Sequence, residues 1–284
     1  LQILQTAGID PTTSNVQPLL DQYAGNPLAL KSVATTTHLL FSGNLDRFLA
    51  QGAAAFGSIY ELLDQSFERL SDLEKSVLYW LAIHRDPVFL PELINAIVPP
   101  VSSQKLLGTL ENLRWRSWIE SNPTGFILQT VVMEYVTHCF IEQVNDELCH
   151  GSLNLFNSHA LLQATAKPAI RESQTRLILQ PIADRVTTTE AHWAALLQTC
   201  RSQPHLASGY AAGNLLNLLC HCNQDLSHYD FSRLTIRQAD LRGMNLQQVN
   251  FDQTSFIQST CSIPCPAPIA RLQVEEKVDR YRSK

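Results

Sequence analysis

From Asp225 to Phe256 an apolar residue returns at every fifth position: Leu226, Phe231, Ile236, Leu241, Leu246, Phe251 and Phe256. Side chains recur about every 3.6 residues on an α-helix and every 2 on a strand, so this row lies on no fixed face of either element. The residue before each apolar centre is a small polar turn former: Asp225, Asp230, Thr235, Asp240, Asn245, Asn250 and Ser255. The residue two before it (Tyr229, Leu234, Ala239, Met244, Val249 or Thr254) tends to be apolar or small, as a second inward row requires.

Upstream of this beat the pattern is helical. Residues 15–40 read as helix, turn, helix, with Gly25 as a stop and Pro27 opening the second helix, where a missing N–H costs nothing. Ser71 to Glu74 has capping-box spacing ahead of the apolar run "SVLYWLAI", which predicts a helix start. A second helix is expected from Pro91, and a third over "SSQKLLGTLENLRWRS" with Leu106, Leu107, Leu110 and Leu113 on one side. "WIESNPTGFIL" then reads as two short strands around Asn122-Pro123-Thr124-Gly125, so three helices closed by a hairpin predict a winged helix. Helix resumes over 131–148, and further helices are expected at 153–164, 173–186, 190–200 and 211–222.

Composition narrows the function. With 284 residues, 45% of them hydrophobic, the chain can bury a sizeable core, and its net charge of -5 gives no general attraction for nucleic acid or an anionic membrane. The longest apolar run near the middle, Val77 to Ile83, is far short of the roughly 20 residues needed to span a bilayer. Seven cysteines, an odd count without a signal-like start, fit reduced thiols and a cytoplasmic location. The first residue is Leu1, which leads to the expectation of a piece cut from a longer protein. Cys220-His221-Cys222 is not expected to bind metal, because adjacent helical side chains diverge by about 100°.

The five-residue beat resembles the pentapeptide-repeat proteins, in which four units close one square coil. That resemblance implies a right-handed β-solenoid of two coils over 224–262, capping or linking the helical part. "IPCPAPIARLQVEEKVDRYRSK" breaks the beat, and 263–284 is expected to be a disordered tail.

"GNPLAL" at Gly25 to Leu30, the winged-helix pattern and "FILQTVVMEYV" at Phe126 to Val136 follow in an order that resembles the NB-ARC class of STAND signalling ATPases. In that family the proline of the first motif packs on the adenine of ADP, and a Met-His-Asp triplet touches its phosphate. The resemblance therefore implies cofactor-binding roles for Pro27 and for Gln129, the latter within Leu128-Gln129-Thr130 in place of the histidine triplet. Glutamine can donate an amide hydrogen bond but cannot carry the charge of a protonated imidazole. "KPAIRESQTRLILQPIADRV" and "GYAAGNLLNLLCHCNQDLSHYDF" also resemble the linker that, in cyanobacterial-type members, leads into Trp-Asp repeats, although nothing after Ser262 resembles such a repeat.

A phosphate loop needs a lysine directly after a glycine, and none of the lysines at 31, 75, 105, 167, 277 and 284 has one. The chain is thus expected not to be an enzyme and to hold no cofactor alone; ADP or ATP with Mg would enter only with an upstream nucleotide-binding domain. The expected fold class is mainly α: an ARC-type helical subdomain over 1–58, a winged helix over 59–150, a helical linker over 151–223, then the solenoid. The expected function is a regulatory fragment of an ADP-dependent switch in signal transduction, with protein partners or self-assembly and no membrane. Two alternatives stand beside it: a winged-helix DNA-binding regulator and a protein–protein adaptor. Nucleic acid is the weaker partner, because the third helix offers only Lys105, Arg114 and Arg116 beside Glu111.

Overall fold

The computed structural model describes residues 66–261 apart from 117, 187–189, 205, 228 and 247, together with 37, 44, 47, 63 and 64. Pro27, residues 1–36 and the tail over 263–284 lie outside the described residues.

Helix α1 (Asp72–His84) is the centre of the molecule. Ser71 and Glu74 form the reciprocal capping box that their spacing predicts: the Ser71 Oγ accepts from the Glu74 N–H, and the Ser71 N–H donates to Glu74 Oε2 at 2.8 Å. Every residue from Val77 to Ile83 is buried, so the helix is covered on all sides rather than along one stripe. Arg85 ends it in the left-handed region at φ 58. Val88 then exchanges two 2.9 Å backbone hydrogen bonds with Phe126. Gly125, at φ 128, permits that approach, because a Cβ there would stand 2.6 Å from the Val88 carbonyl oxygen.

Helices α2 (Leu90–Ala96) and α3 (Ser103–Trp115) follow, the second started by Ser102, whose Oγ accepts from the Lys105 N–H. Strands β1 (Ile119–Asn122) and β2 (Gly125–Leu128) pair antiparallel with Ile119 opposite Leu128 and Asn122 opposite Gly125. The hairpin leads to α4 (Thr130–His150), which lies along α1 and ends at Gly151 in the left-handed region.

The next stretch is more broken than its sequence pattern predicts. Instead of one helix over 153–164, only α5 (Asn154–Ser158) forms, started by the buried Glu147 carboxylate, which accepts from the Leu155 and Phe156 N–H groups at 2.8 and 2.9 Å. Helix α6 (Pro168–Gln174) passes through a π-helical turn at Thr175–Leu179 into α7 (Gln180–Arg185). Pro181 explains the widening: it has no N–H to give the Leu177 carbonyl, and the Gln180 N–H bonds Thr175 five residues back. Helices α8 (Glu190–Ser202) and α9 (Ala211–His221) complete the helical part.

Helix α9 carries the strand region. Asn217 donates to the Gln238 carbonyl and accepts from the Asp240 N–H, both at 2.9 Å. Strand β3 (Thr235–Arg237) pairs parallel with β5 (Ser255–Ile257), and β4 (Asp240–Leu241) with β6 (Thr260–Cys261). The five-residue beat is met by left-handed corners at Arg233, Gln238, Gly243, Gln248, Gln253 and Gln258, and it sends Leu226, Phe231, Ile236, Leu241, Leu246 and Phe251 inward.

The expected fold class is corrected here. In place of separate helical, winged-helix and linker parts ended by a β-solenoid, one hydrophobic cluster runs from Phe67 to Phe251 through a helical body with few short strands, and no solenoid forms among the described residues. The strands of this region are two or three residues long and form two ladders of two strands each, with a single parallel bridge between Asp230 and Asn250 beside them. The physical reason is that the inner rows are backed by α9 rather than by further coils: Gly213 lies so close to the Arg237 carbonyl that no Cβ could stand between them. The expectation of reduced thiols is corrected at Cys261, which is disulfide-bonded; Cys139, Cys149, Cys200, Cys220 and Cys222 are free. No helix among the described residues is long and apolar enough to cross a membrane.

Two buried asparagines make a contrasting pair. Asn214 accepts from the Leu161 N–H at 2.9 Å and donates to the Phe156 and His159 carbonyls at 2.7 Å each. Asn145, 8% exposed on α4, has no partner for either amide atom. An unmade buried hydrogen bond costs about 1–3 kcal/mol. Asn145→Leu is therefore expected to raise the urea midpoint, by about 1 kcal/mol of stability, and Asn214→Leu to lower it by about 3 kcal/mol. Equal effects of the two substitutions would refute this assignment.

Candidate functional site

Gln129 stands at the start of α4, exposed, with its backbone extended at φ -63 and ψ 150. Its side chain makes no capping hydrogen bond to the helix. Instead its Nε2 donates to Glu120 Oε1 across the hairpin at 2.8 Å. A phosphate brought to this amide would meet the Glu120 carboxylate, so Gln129 as arranged does not fit a phosphate and would have to turn away from Glu120 first. Pro27 lies outside the described residues, and the two expected cofactor contacts are not brought together within them.

A second place is a cleft of about 470 Å³ between α1, the 97–101 segment, α4 and α5. Ser76, Ser158 and the buried His159 are among the residues that line it. Ser76 Oγ is 3.1 Å from His159 Nε2, the spacing of a nucleophile and its base. The same nitrogen is 3.1 Å from the Ser76 carbonyl oxygen, which can only accept. Nε2 therefore carries the proton, Nδ1 accepts from Ser158 Oγ at 2.8 Å, and the imidazole has no lone pair free for the Ser76 proton. No local pattern signals this trio, because Ser76 and His159 are 83 positions apart.

His159 is instead a packing element. Its ring lies 5.1 Å from Trp80, 5.7 Å from Tyr79 and 5.9 Å from Phe140, centroid to centroid. Trp80 also touches Tyr210 at 5.3 Å, and the Tyr210 hydroxyl donates to the Ala96 carbonyl at 2.8 Å. His84, on the other side of Trp80, shares its Nε2 with the Gln163 amide at 3.2 Å. Gln174 closes that network: its amide donates to the Ile83 carbonyl and to Gln163 Oε1, and its Oε1 accepts from the Gln163 backbone N–H.

Four of the free thiols are held in their neutral form. Burial pushes Cys200 and Cys220 up to about 12 and raises Cys139 and Cys222. His221 bonds the Gln180 side chain at 2.6 Å. Among the described residues no group of three His, Cys, Asp or Glu side chains is placed to hold a metal ion.

Comparison with known proteins places the chain in a longer context. It is 40% identical over 271 residues to an uncharacterized WD repeat-containing protein of Nostoc sp. (strain PCC 7120), a match covering 80% of this chain and 22% of that protein. The chain thus spans about a fifth of the length of the curated relative it matches. No family model and no solved structure matches it.

Burial pushes both His84 and His159 down to about 4. Between that value and the unfolded value of about 6.5 the unfolded chain binds more protons, so stability is complete above pH 6.5 and is lost as pH falls to about 4. Each histidine is expected to contribute on the order of 3 kcal/mol to this loss. Urea midpoints at pH 7 and pH 5 check it: the pH sensitivity should shrink in His84→Gln, and an unchanged slope would rule His84 out.

Proposed function

We propose that this chain is a regulatory, protein-binding segment of a larger nucleotide-switched signalling protein, and that it is not itself an enzyme. The observation that carries the larger-protein, protein-partner part of the reading is the match to a far longer WD repeat-containing protein, of which this chain spans 22%; the nucleotide part rests on the family resemblance of the sequence alone. It agrees with the resemblance of residues 167–186 and 209–231 to the linker that joins signalling ATPases to Trp-Asp repeats. WD repeats are a propeller architecture, and a segment joined to one fits work through protein partners.

The nucleotide belongs to an upstream domain in this reading. The single core from α1 to β4 supports a stiff body that changes position as a whole, as a two-state switch requires. Gln129 would join the nucleotide contact only after release from Glu120, and the switch does not depend on it.

Calorimetry tests the reading. ADP is expected to give no heat with this chain alone, and to bind more tightly to the chain joined to its upstream nucleotide-binding domain than to that domain by itself. Glu120→Ala in the joined protein should strengthen ADP binding, and Gln129→Ala should cancel that gain. Binding of ADP to the isolated chain, or an upstream domain indifferent to this segment, would overturn the proposal.

A further inference from the structure

Helix α3 buries Leu106, Thr109, Leu110 and Leu113 and leaves its opposite side bare. At 3.6 residues per turn that bare side carries Gln104, Leu107, Gly108, Glu111 and Trp115 in one stripe, the spacing with which one helix meets another. Trp115 is 83% exposed and Leu107 44%, the first the most exposed large apolar side chain among the described residues. Gly108 lies between them, and a Cβ built on it meets nothing within 4 Å. Glycine inside a helix costs about 1 kcal/mol relative to alanine, and no contact among the described residues offsets that cost at Gly108. A bare glycine flanked by two large apolar groups is a hollow into which a partner side chain fits and over which a partner backbone comes close.

The charges around the stripe select the partner. Arg114 flanks it on one side and Lys105 on the other, both exposed, in a chain whose net charge is -5. We propose that this face of α3 is the docking surface for an amphipathic helix of a partner protein, with its apolar stripe on Leu107, Gly108 and Trp115 and acidic residues on its flanks against Arg114 and Lys105. Glu111, in the middle of the stripe, faces any bound group and repels a phosphate backbone, which sets nucleic acid aside. A second copy of this chain would bring the same face, with Glu111 as its one carboxylate, and offers no acidic flanks for Arg114 and Lys105. Trp and Arg are the residue types that most often anchor such contacts. The proposal rests on the protein-partner part of the function above, not on the nucleotide.

Trp115 supplies its own readout, because Trp80, Trp118 and Trp193 are only 1%, 4% and 3% exposed. The probe is a helical peptide of about 20 residues with leucines at alternating three- and four-residue spacing and glutamates on both flanks. It is expected to shift the Trp115 emission to the blue and shield it from iodide, with a micromolar dissociation constant. The same peptide with lysine flanks should bind at least about tenfold more weakly. Gly108→Leu, which fills the hollow at an open position and leaves the fold intact, should weaken binding by about tenfold. Three results would overturn the proposal: no change in Trp115 emission with the acidic peptide, undiminished binding by Gly108→Leu, or equal or tighter binding of the lysine peptide or of a duplex of about 20 base pairs. Each leaves the ADP titration free to succeed or fail on its own.

Discussion

The burial of α1 on every side is the constraint on which the other parts depend. A helix with seven consecutive buried residues, Val77 to Ile83, needs neighbours all round, and α3, α4 and β2 cover only part of it. The remainder is closed by His159 and Tyr210, which sit against Trp80 and come from the later, more broken half of the chain. The two halves therefore share one core. Removing the second would expose Trp80 and leave the Ala96 carbonyl without the Tyr210 hydroxyl.

The junction is held by polar groups that are fully used. Asn214 and Glu147 each satisfy backbone groups where α5 would otherwise begin and end without partners. Such ties fix geometry more than they add energy, since a hydrogen bond in a protein only replaces one with water. Ser76 and His159 belong to the same class: a spacing that resembles a reactive pair is, once its protons are placed, a packing contact. The exposed surface differs. There the side chains of α3 and Gln129 carry the features open to other molecules.

Much of the local structure was legible in the sequence. The Ser71 and Glu74 capping box, the hairpin around Asn122 to Gly125 and the starts of α8 and α9 follow from short-range chemistry that a few neighbouring residues determine. The five-residue beat correctly indicated inward residues, because a recurring left-handed corner is itself local. Its larger consequence was not legible: whether coils stack on coils or on a helix depends on Gly213, distant in sequence. The break of the 153–164 helix was equally hidden, since its apolar spacing is helical while Glu147 and Asn214 bind its backbone in another shape. At the site, Gln129 was placed by resemblance, and its tie to Glu120 across a hairpin could not be read from either residue alone.

Gly213 has a mechanical consequence. With no Cβ between helix and strand, α9 and β3 touch backbone to backbone, and Asn217 bonds the chain on either side of the next corner. Two backbones in such contact cannot slide past each other without breaking those bonds, and α9 in turn is tied to α5 through Asn214, whose amide donates to the Phe156 and His159 carbonyls. The strand end and the packing around His159 are thereby joined through a single helix.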